Sequence, residues 1–586
     1  MERSCLSAVE ATREEVRTPS HDSSRRWLLL IILFALVFRL WNIDYPDWKS
    51  VDEQDTIDRA LLLGHRGLNP GWFIYPSLFY YVLFAIDGIV YVLGSLIGFF
   101  SSPEDFARFY FAHPLVLHLV GRGITLACGL ACLVVTFGIG REGWGVGVGL
   151  AATGLLAISP VYLLASREVK PDILMTLLLL LAAWAILRYL DTDRAMWLWS
   201  ASVLIGLAAS AKYPAAMGVL WLVVAPWISR RGPTVIAKSA LALSLAGVGF
   251  VAGTPFAVLD WSSFHAFLNE LASYMNRSWY GGEDQPIGYL VYLFQVLPWA
   301  LGWPAALLGL AGLARWLFWG RSRERLLAGF VVALYAWMGY SRIVRPHYLL
   351  PLYPFLALAG ADLARAAIVR LWSVRPVVSR VMLGSMMVVC LLPPFALSVR
   401  ETLLLNARDT RELAGAWIAE HLPSGTRILS EPYGPFIPLA GGRVEEIIGE
   451  EQRRRSGHGM RLQFEREHAK PGEGFWYYEM RLYSDRFRSR PASEEYDLDK
   501  FLSQGYKVIV LSSAVYDRYR RIPEQYPLQS VFFNRVVRSG VLLARFTPST
   551  PWCCPETLNA RLSEAMAMVW GHPGPTLLIY RLPDKS

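Results

Sequence analysis

The sequence predicts a mainly α-helical, polytopic membrane protein with a soluble α/β domain after it. Of the 586 residues, 54% are hydrophobic and only 18% are charged, and apolar runs long enough to cross a bilayer recur through residue 398. From about residue 400, helix-like and strand-like segments alternate instead. Most of the net charge of +9 lies in short loops between the apolar runs, so a nucleic-acid partner is not indicated.

Eleven apolar runs are predicted to be transmembrane helices. They lie near 27–41, 115–138, 145–165, 173–190, 196–211, 214–228, 236–253, 290–314, 326–340, 347–364 and 381–398. A further apolar stretch, 77–100, is long enough to be a twelfth crossing.

The basic residues decide whether 77–100 crosses. If it does not, the loops on the N-terminal side of the membrane hold fourteen Arg and Lys, against six in the opposite loops after the first. The fourteen are Arg141, Arg188, Arg194, Arg230, Arg231, Lys238, Arg315, Arg321, Arg323, Arg325, Arg365, Arg370, Arg375 and Arg380, and the six are Arg167, Lys170, Lys212, Arg277, Arg342 and Arg345. Basic loops favour the cytoplasm, so we expect 77–100 to lie along the outer leaflet or partly in it.

This topology predicts three parts. Residues 1–26 form a cytoplasmic disordered tail, 27–399 the transmembrane domain and 400–586 an extracytoplasmic domain, all in a plasma (inner) membrane protein. The first outer loop runs from 42 to 113. The segments around Asp52 and Asp172, together with 254–289 and 341–346, then emerge on one outer face, where their polar residues can form a single site.

An acidic pair, Asp52 and Glu53, follows the first predicted span closely. A carboxylate just outside a membrane helix can accept a proton or orient a substrate hydroxyl without being buried in lipid. Carboxylates are also common in solvated loops, which is the alternative. Asp172 follows Pro171 at the start of the fourth span, where it can face substrate or only complement the positive end of that helix.

Cations accompany these acids. Arg342, Arg345 and His347 open the tenth span, and Lys212 lies between the fifth and sixth. Such groups can bind a lipid phosphate, since Arg in particular forms paired hydrogen bonds to phosphate oxygens. The alternative is that they reach to lipid headgroups. Arg122 lies inside the second span, where an ionisable residue is functional or paired.

Taken in order, these motifs resemble those of GT-C type membrane glycosyltransferases, in particular the protein O-mannosyltransferase and lipid A aminoarabinose transferase group (family 39-like). The resemblance covers residues 27–365. It is carried by Asp52-Glu53, Gly67-Leu-Asn-Pro70, Phe73-Ile-Tyr-Pro-Ser77, Arg122, Pro171-Asp172, Lys212-Tyr-Pro214 and Arg342-Ile-Val-Arg-Pro-His-Tyr-Leu-Leu-Pro351. In this family the first outer loop forms juxtamembrane helices, which agrees with the placement of 77–100.

The resemblance implies a glycosyltransferase that moves a hexosyl or pentosyl group from a polyprenyl-phosphate donor to a lipid, glycan or protein acceptor on the outer face, with inversion. Asp52 would be the catalytic base, Glu53 would orient or share the site, and Asp172 would contact sugar or acceptor. The residues implied in binding the donor and its phosphate are Arg122, Lys212, Arg342, Arg345, His347 and Tyr75.

Cofactors are less clearly indicated. No cofactor is required by any motif, and the ten His show no paired spacing typical of a metal site. A carboxylate site for a divalent metal stays open. The six Cys predict no disulfide framework.

The segment from 400 to 586 predicts a small α/β domain. A helix should begin near Asp409, and strands are expected at 427–430, 507–512 and 576–581, with another helix at 497–505. Residues 444–474 are charged and contain glycine, which suggests a flexible or functional loop. We expect an accessory role for this domain, with acceptor binding as the alternative.

Two other functions compete with sugar transfer. A transporter or flippase for a lipid-linked or polar solute should show internal repeats and polar residues at mid-membrane. This sequence shows no internal repeat, and its charged motifs fall at one end of the spans. A sensor or assembly protein would not need several ordered polar motifs in its membrane part.

Overall fold

The computed structural model describes residues 21–44, 51–65, 67–229, 234–275, 287–372, 376–454, 459–468, 472–480, 492–548 and 574–583. Up to residue 405 it is helical. The helices are α1 (His21–Leu40), α2 (Val51–Leu62), α3 (Leu78–Leu96), α4 (Pro103–Ala112), α5 (Pro114–Trp144), α6 (Val146–Ala157), α7 (Pro160–Ala165), α8 (Asp172–Thr192), α9 (Ala195–Ala211), α10 (Val219–Ser229), α11 (Val235–Gly253), α12 (Phe256–Leu259), α13 (Trp261–Met275), α14 (Gly288–Val291), α15 (Leu297–Leu301), α16 (Trp303–Trp319), α17 (Ser322–Tyr340), α18 (Tyr353–Trp372) and α19 (Pro376–Leu405).

Every predicted apolar run coincides with helix. By length and composition, six helical segments of the described residues could cross a membrane, or seven if one bent pair is a single span. The chain is therefore a multi-pass membrane protein. Shorter apolar helices, including α6, α9 and the segment Tyr213–Ser229, add to the bundle. The helices pack around one large buried core, to which α5, α8, α9 and α18 all contribute.

One predicted span, 290–314, is not continuous. Helix α14, a π-helical turn (Tyr292–Val296) and α15 form one helical segment, Gly288–Leu301. This segment meets α16 at an angle of 116°. Gly302 separates them with a φ of +76°, a conformation that favours glycine. A Cβ at this position would also lie 2.9 Å from Cδ of Pro394. The predicted span is therefore bent, a feature that hydropathy alone does not register.

Helix α3 is apolar and long enough to span the membrane. However, the helices before and after it in the chain, α2 and α4, contact each other. It connects α2 to α4, and Tyr110 of α4 donates a hydrogen bond of 2.6 Å to Asp58 of α2. Residues from both ends of α3, such as Phe79 and Tyr91, belong to one cluster with Ile57 of α2. A straight helix of this length that crossed would separate α2 from α4 by roughly 28 Å. The contacts therefore favour the predicted placement of 77–100 along the surface.

The segment after residue 405 contains a small mixed sheet. Its elements are α20 (Thr410–His421), β1 (Arg427–Ser430), α21 (Gly441–Arg454), α22 (Gly459–His468), β2 (Trp476–Glu479), α23 (Ala492–Glu495), α24 (Leu498–Ser503), β3 (Val508–Ser512), α25 (Ser513–Arg521), α26 (Pro527–Ser539), β4 (Val541–Phe546) and β5 (Leu577–Arg581). The five strands of the described residues have the order β2-β1-β3-β5-β4. Strands β1, β2 and β3 are parallel, whereas β5 is antiparallel to both β3 and β4.

The three predicted strands and the helix capped by Asp409 are present, and the Asp409 carboxylate accepts from the backbone N–H of Arg411. The loop prediction for 444–474 was wrong where the structure describes it, because α21 and α22 occupy most of that range. Their few apolar residues include Val444 and Ile448, which form a small cluster of their own. Such a sparse apolar pattern resembles that of a charged loop.

Candidate functional site

Asp52 and Glu53 occupy the first turn of α2 but face different surroundings. The side chain of Asp52 is 57% exposed, whereas that of Glu53 is fully buried. Successive residues of a helix point about 100° apart, so one can face a cavity while the next faces protein. The acidic pair of the sequence is therefore two separate functional groups.

Glu53 is held by Arg122 of α5. Nε and Nη2 of Arg122 lie 2.9 Å from Oε1 and Oε2 of Glu53, respectively. The backbone N–H of Val169 also donates to Glu53, over 3.2 Å, and Nη1 of Arg122 donates to the carbonyl of Ile43. These bonds join α2, α5 and the segment before α8.

This pairing changes the interpretation of both residues. Arg122 was predicted to bind donor phosphate, but its side chain is fully buried and its guanidinium is directed at Glu53 and the backbone of Ile43. An Arg in that position neutralises a buried carboxylate. Glu53 was predicted to orient or share the reaction site, and its buried bonds to Arg122 and Val169 place it between α2, α5 and the segment before α8.

Lys170 belongs to the candidate site, although the sequence indicated only a charged residue in an outer loop. Its Nζ lies 3.2 Å from Oδ2 of Asp52 and 2.9 Å from Oε1 of Glu168. Both Lys170 and Glu168 are buried. The available signal was the charge-rich segment Ser166–Asp172, but sequence alone did not show that Lys170 turns toward α2.

Asp172 and Lys212 form a second buried ion pair on the same side. Nζ of Lys212 lies 2.6 Å from Oδ1 of Asp172, at the start of α8. The rings of Tyr75 and Tyr348 flank the ammonium group, with centroids at 5.2 and 5.0 Å. Oδ2 of Asp172 has no hydrogen-bond partner within the described residues. We call the side of the bundle that carries Asp52, Asp172 and Lys212 the Asp52 face.

The segment Ser341–Pro346 completes the Asp52 face. Arg345 is half-buried, and its backbone N–H donates to the hydroxyl of Tyr292 over 3.3 Å. Arg342 is exposed, whereas His347 is buried with its ring edge-on to Tyr348. The structure thus brings Arg345 and His347 toward the Asp172–Lys212 pair and leaves Arg342 at the periphery.

Electrostatics favour an ionised Asp52. Lys170 is the main cause that lowers the pKa of the Asp52 carboxyl, and Arg345 and Lys212 lower it further, against the opposing effect of partial desolvation among the surrounding helices. Burial alone would lower the pKa of Lys170, but Glu168 and Asp52 raise it overall. At neutral pH the site therefore contains an anionic carboxylate surrounded by cations.

The arrangement combines an exposed carboxylate with several cations. The carboxylate can accept a proton, and the cations can stabilise an anionic leaving group. Among the described residues, no group of three or more His, Cys, Asp or Glu side chains is placed to hold a metal ion, so we assign no step to one. Residues 276–286 of the predicted outer segment 254–289 lie outside the described residues.

Residues 117–258 match the family model of dolichyl-phosphate-mannose-protein mannosyltransferases. This range begins within α5 and contains Arg122, Lys170, Asp172 and Lys212. No curated protein matches the chain.

Solved structures share the fold over most of the chain. ArnT from Cupriavidus metallidurans in the apo state is 14% identical, with 95% of this chain and 98% of that chain covered and a TM-score of 0.51. The oligosaccharyltransferase AglB from Archaeoglobus fulgidus, in complex with an inhibitory peptide and a dolichol-phosphate, is 12% identical, with 91% and 75% covered and a TM-score of 0.50. The apo form of the Archaeoglobus fulgidus oligosaccharyltransferase is 12% identical, with 92% of this chain and 75% of that chain covered and a TM-score of 0.52. These matches confirm the predicted resemblance to GT-C glycosyltransferases at the level of the fold.

Proposed function

We propose that this protein is a glycosyltransferase that moves a hexosyl or pentosyl group from a polyprenyl-phosphate donor to a hydroxyl-bearing acceptor. The observation that carries the proposal is the exposed carboxylate of Asp52 beside Lys170, on a face that also holds Lys212. A base next to cations for a leaving phosphate is what this transfer needs.

Asp52 is the proposed base. Its lowered pKa keeps it ionised at neutral pH, so it can take the proton of the acceptor hydroxyl as that oxygen bonds to the anomeric carbon. The bond from the anomeric carbon to the phosphate oxygen breaks, and the lipid phosphate leaves with the electron pair. A single displacement of this kind inverts the configuration at the sugar carbon.

The cations are assigned to the leaving phosphate. Lys212 and Arg345 are the proposed phosphate ligands, with Arg342 at the edge of the site and Tyr75 and His347 in the surrounding wall. Lys212 already pairs with Asp172, so its charge is held in place before the donor arrives. The partnerless oxygen of Asp172 can then accept a hydrogen bond from a sugar or acceptor hydroxyl.

A lipid-linked donor also fits the likeness to known proteins. The matching family model describes enzymes that use dolichyl-phosphate-mannose, and the similar AglB structure contains a dolichol-phosphate. We further propose that the Asp52 face is extracytoplasmic in a plasma (inner) membrane, because the opposite loops carry the excess of Arg. The transporter hypothesis gains no support, since the paired charges gather on one face.

The test is a transfer assay with purified protein in lipid vesicles. Radiolabelled polyprenyl-phosphate sugars are offered one at a time together with host membrane lipids, glycans and proteins, and the wild type is compared with Asp52→Asn. We expect label from one donor to reach an acceptor, and the variant to lose about 10²–10⁴-fold in rate. Absence of transfer from every donor, or equal rates in a folded variant, would contradict the proposal.

A further inference from the structure

The sheet after residue 405 has a second site-like feature, at the carboxyl end of its parallel strands. From β1 the chain goes first to β2 on one side and then to β3 on the other. In open α/β sheets, ligands bind outside the carboxyl ends of the strands where the strand order reverses in this way. Glu431, Glu479 and Ser512 lie at those three strand ends, and we call this group the carboxyl edge.

The carboxyl edge lies near the point where the chain enters this sheet from the membrane domain. Only residues 406–409 separate Leu405 at the end of α19 from Thr410, a link of at most about 18 Å. Thr410 Oγ1 donates to the carbonyl of Pro575 over 2.6 Å, next to the start of β5, which pairs with the end of β3 at Ser512. Asn42, between α1 and α2, donates to Asn406 over 2.8 Å. The edge therefore lies on the side of the first loop that leads to Asp52.

Two buried polar groups at the carboxyl edge lack partners within the described residues. Glu431 and Ser512 are 1% and 0% exposed. The backbone N–H of Ser512 donates to Oε2 of Glu431 over 2.8 Å, but neither Oε1 of Glu431 nor Oγ of Ser512 makes a hydrogen bond. A buried polar atom left without a partner is unfavourable, so both atoms indicate a ligand.

The chemistry of the edge suits a hydroxyl group. Burial raises the pKa of Glu431 to about 8, with Asp517 adding to the effect, so at neutral pH the group is a carboxylic acid that donates as well as accepts. Glu479 is exposed and accepts from the backbone N–H of Tyr433. A hydroxyl can accept from Glu431 and donate to Ser512 or Glu479. The pKa of Glu479 is raised to about 7, so this carboxyl is partly ionised at neutral pH and disfavours a phosphate. A cation gains little from the neutral acid of Glu431.

We propose that the carboxyl edge binds a hydroxyl-rich glycan, and that this glycan is the acceptor of the transfer. The second half of this statement rests on the proposed function. The edge would hold the acceptor while one of its hydroxyls reaches Asp52, which gives the soluble domain a binding role in place of the accessory role expected from the sequence.

Binding is tested on the full-length protein in lipid nanodiscs by hydrogen–deuterium exchange. The probes are the methyl glycosides of mannose, glucose, galactose and arabinose, and, in a separate arm, the polyprenyl-phosphate-linked sugars. We expect a glycoside to protect the segments 428–434, 476–480 and 508–513. Protection by no glycoside, or by the lipid-linked sugar alone, would overturn the assignment to the acceptor.

Ser512→Ala is the decisive variant, because it removes the partnerless Oγ and keeps the backbone bond to Glu431. Its unfolding temperature should equal or exceed that of the wild type, while glycoside affinity falls about two- to tenfold. Glu431→Gln, which still donates and accepts, should retain binding. Unchanged affinity in Ser512→Ala would refute the site.

Two controls separate this inference from the proposed function. Glu495 is a buried carboxyl of the same domain that is bonded by the hydroxyl of Tyr478 over 2.9 Å, and Glu495→Gln should bind the glycosides as the wild type does. Asp52→Asn should lose transfer and keep glycoside binding. If transfer is never observed but binding follows Ser512, the proposed function fails and the glycan site stands.

Discussion

Glu53 and Arg122 form a two-bond ion pair, with both N···O distances 2.9 Å and both side chains fully buried. The residue before Glu53, Asp52, is exposed and contacts Lys170 instead. The buried pair fixes the first turn of α2 against α5, and α2 in turn presents Asp52. Positioning and chemistry are thus divided between two adjacent carboxylates.

We predict that Glu53→Gln destabilises the protein more than Asp52→Asn does. The variant leaves the charge of Arg122 buried without its counterion, and breaking one partner of a buried pair costs about 3–5 kcal/mol. Unfolding in detergent by denaturant measures the effect. In the double variant Glu53→Gln/Arg122→Gln the loss should be smaller than the sum of the single losses, whereas additive losses would mean that the two residues do not interact.

Lys170→Met should shift the acid limit of transfer to higher pH. Lys170 is the main cause of the lowered pKa of Asp52. In the wild type the base is therefore lost only as pH falls below the ordinary Asp value of about 3.9. The free energy of unfolding should depend on pH in the same direction. The Asp52–Lys170 ion pair stabilises the folded protein above the ordinary Asp pKa of about 3.9, and this contribution is lost as pH falls. A pH–rate profile with an unmoved acid limb in Lys170→Met would show that Lys170 does not tune Asp52.

The Asp172–Lys212 pair predicts opposite effects on donor affinity. Lys212→Gln removes a charged hydrogen bond to the phosphate, worth about 1.5–3 kcal/mol, so donor KM should rise at least tenfold. Asp172→Asn removes the counter-charge of Lys212, so the anionic donor should bind at least as well while kcat falls. Donor KM and kcat are measured for both variants. A parallel rise of KM in both would indicate only a structural role for the pair.

Arg345→Ala should weaken donor use more than Arg342→Ala. Arg345 is half-buried and close enough to lower the pKa of Asp52, whereas Arg342 is exposed at the periphery. The two variants remove the same charge from the same segment, so each serves as the control for the other. Donor KM is measured for both variants at low salt and at high salt. Salt should screen the exposed charge of Arg342 more strongly than the half-buried charge of Arg345. A larger effect of Arg342 would reverse the assignment.

Both ends of α3 should be accessible from the same side of the membrane. Ser101 follows α3 and is exposed, as is Arg141 at the far end of α5. In intact cells a membrane-impermeant maleimide should label Ser101→Cys and a cysteine placed after residue 405, but not Arg141→Cys. Labelling of Arg141→Cys together with protection of Ser101→Cys would mean that α3 crosses.

The order of the membrane helices was predictable from the sequence, because lipid imposes a local requirement. A chain in hydrocarbon must satisfy its own backbone hydrogen bonds, so a long apolar run becomes helix whatever surrounds it. The buried strands β1 and β3 were predictable for a similar reason, since each is a compact apolar segment. The edge strands β2 and β4 were missed because their residues are mostly partly exposed and form weak patterns.

Asp52, Asp172 and Lys212 were recognisable in the sequence for the same local reason, since acids and cations at the ends of apolar runs stand out. Lys170 was not singled out, because it is one of several charges in its segment. The sequence could not assign the partners of these residues. That Arg122 neutralises Glu53, that Lys170 turns to Asp52, and that Lys212 lies between Tyr75 and Tyr348 depend on how α2, α5, α8 and α9 pack. These contacts join residues far apart in the chain, so only the tertiary structure decides which carboxylate is buried and which remains open to a substrate.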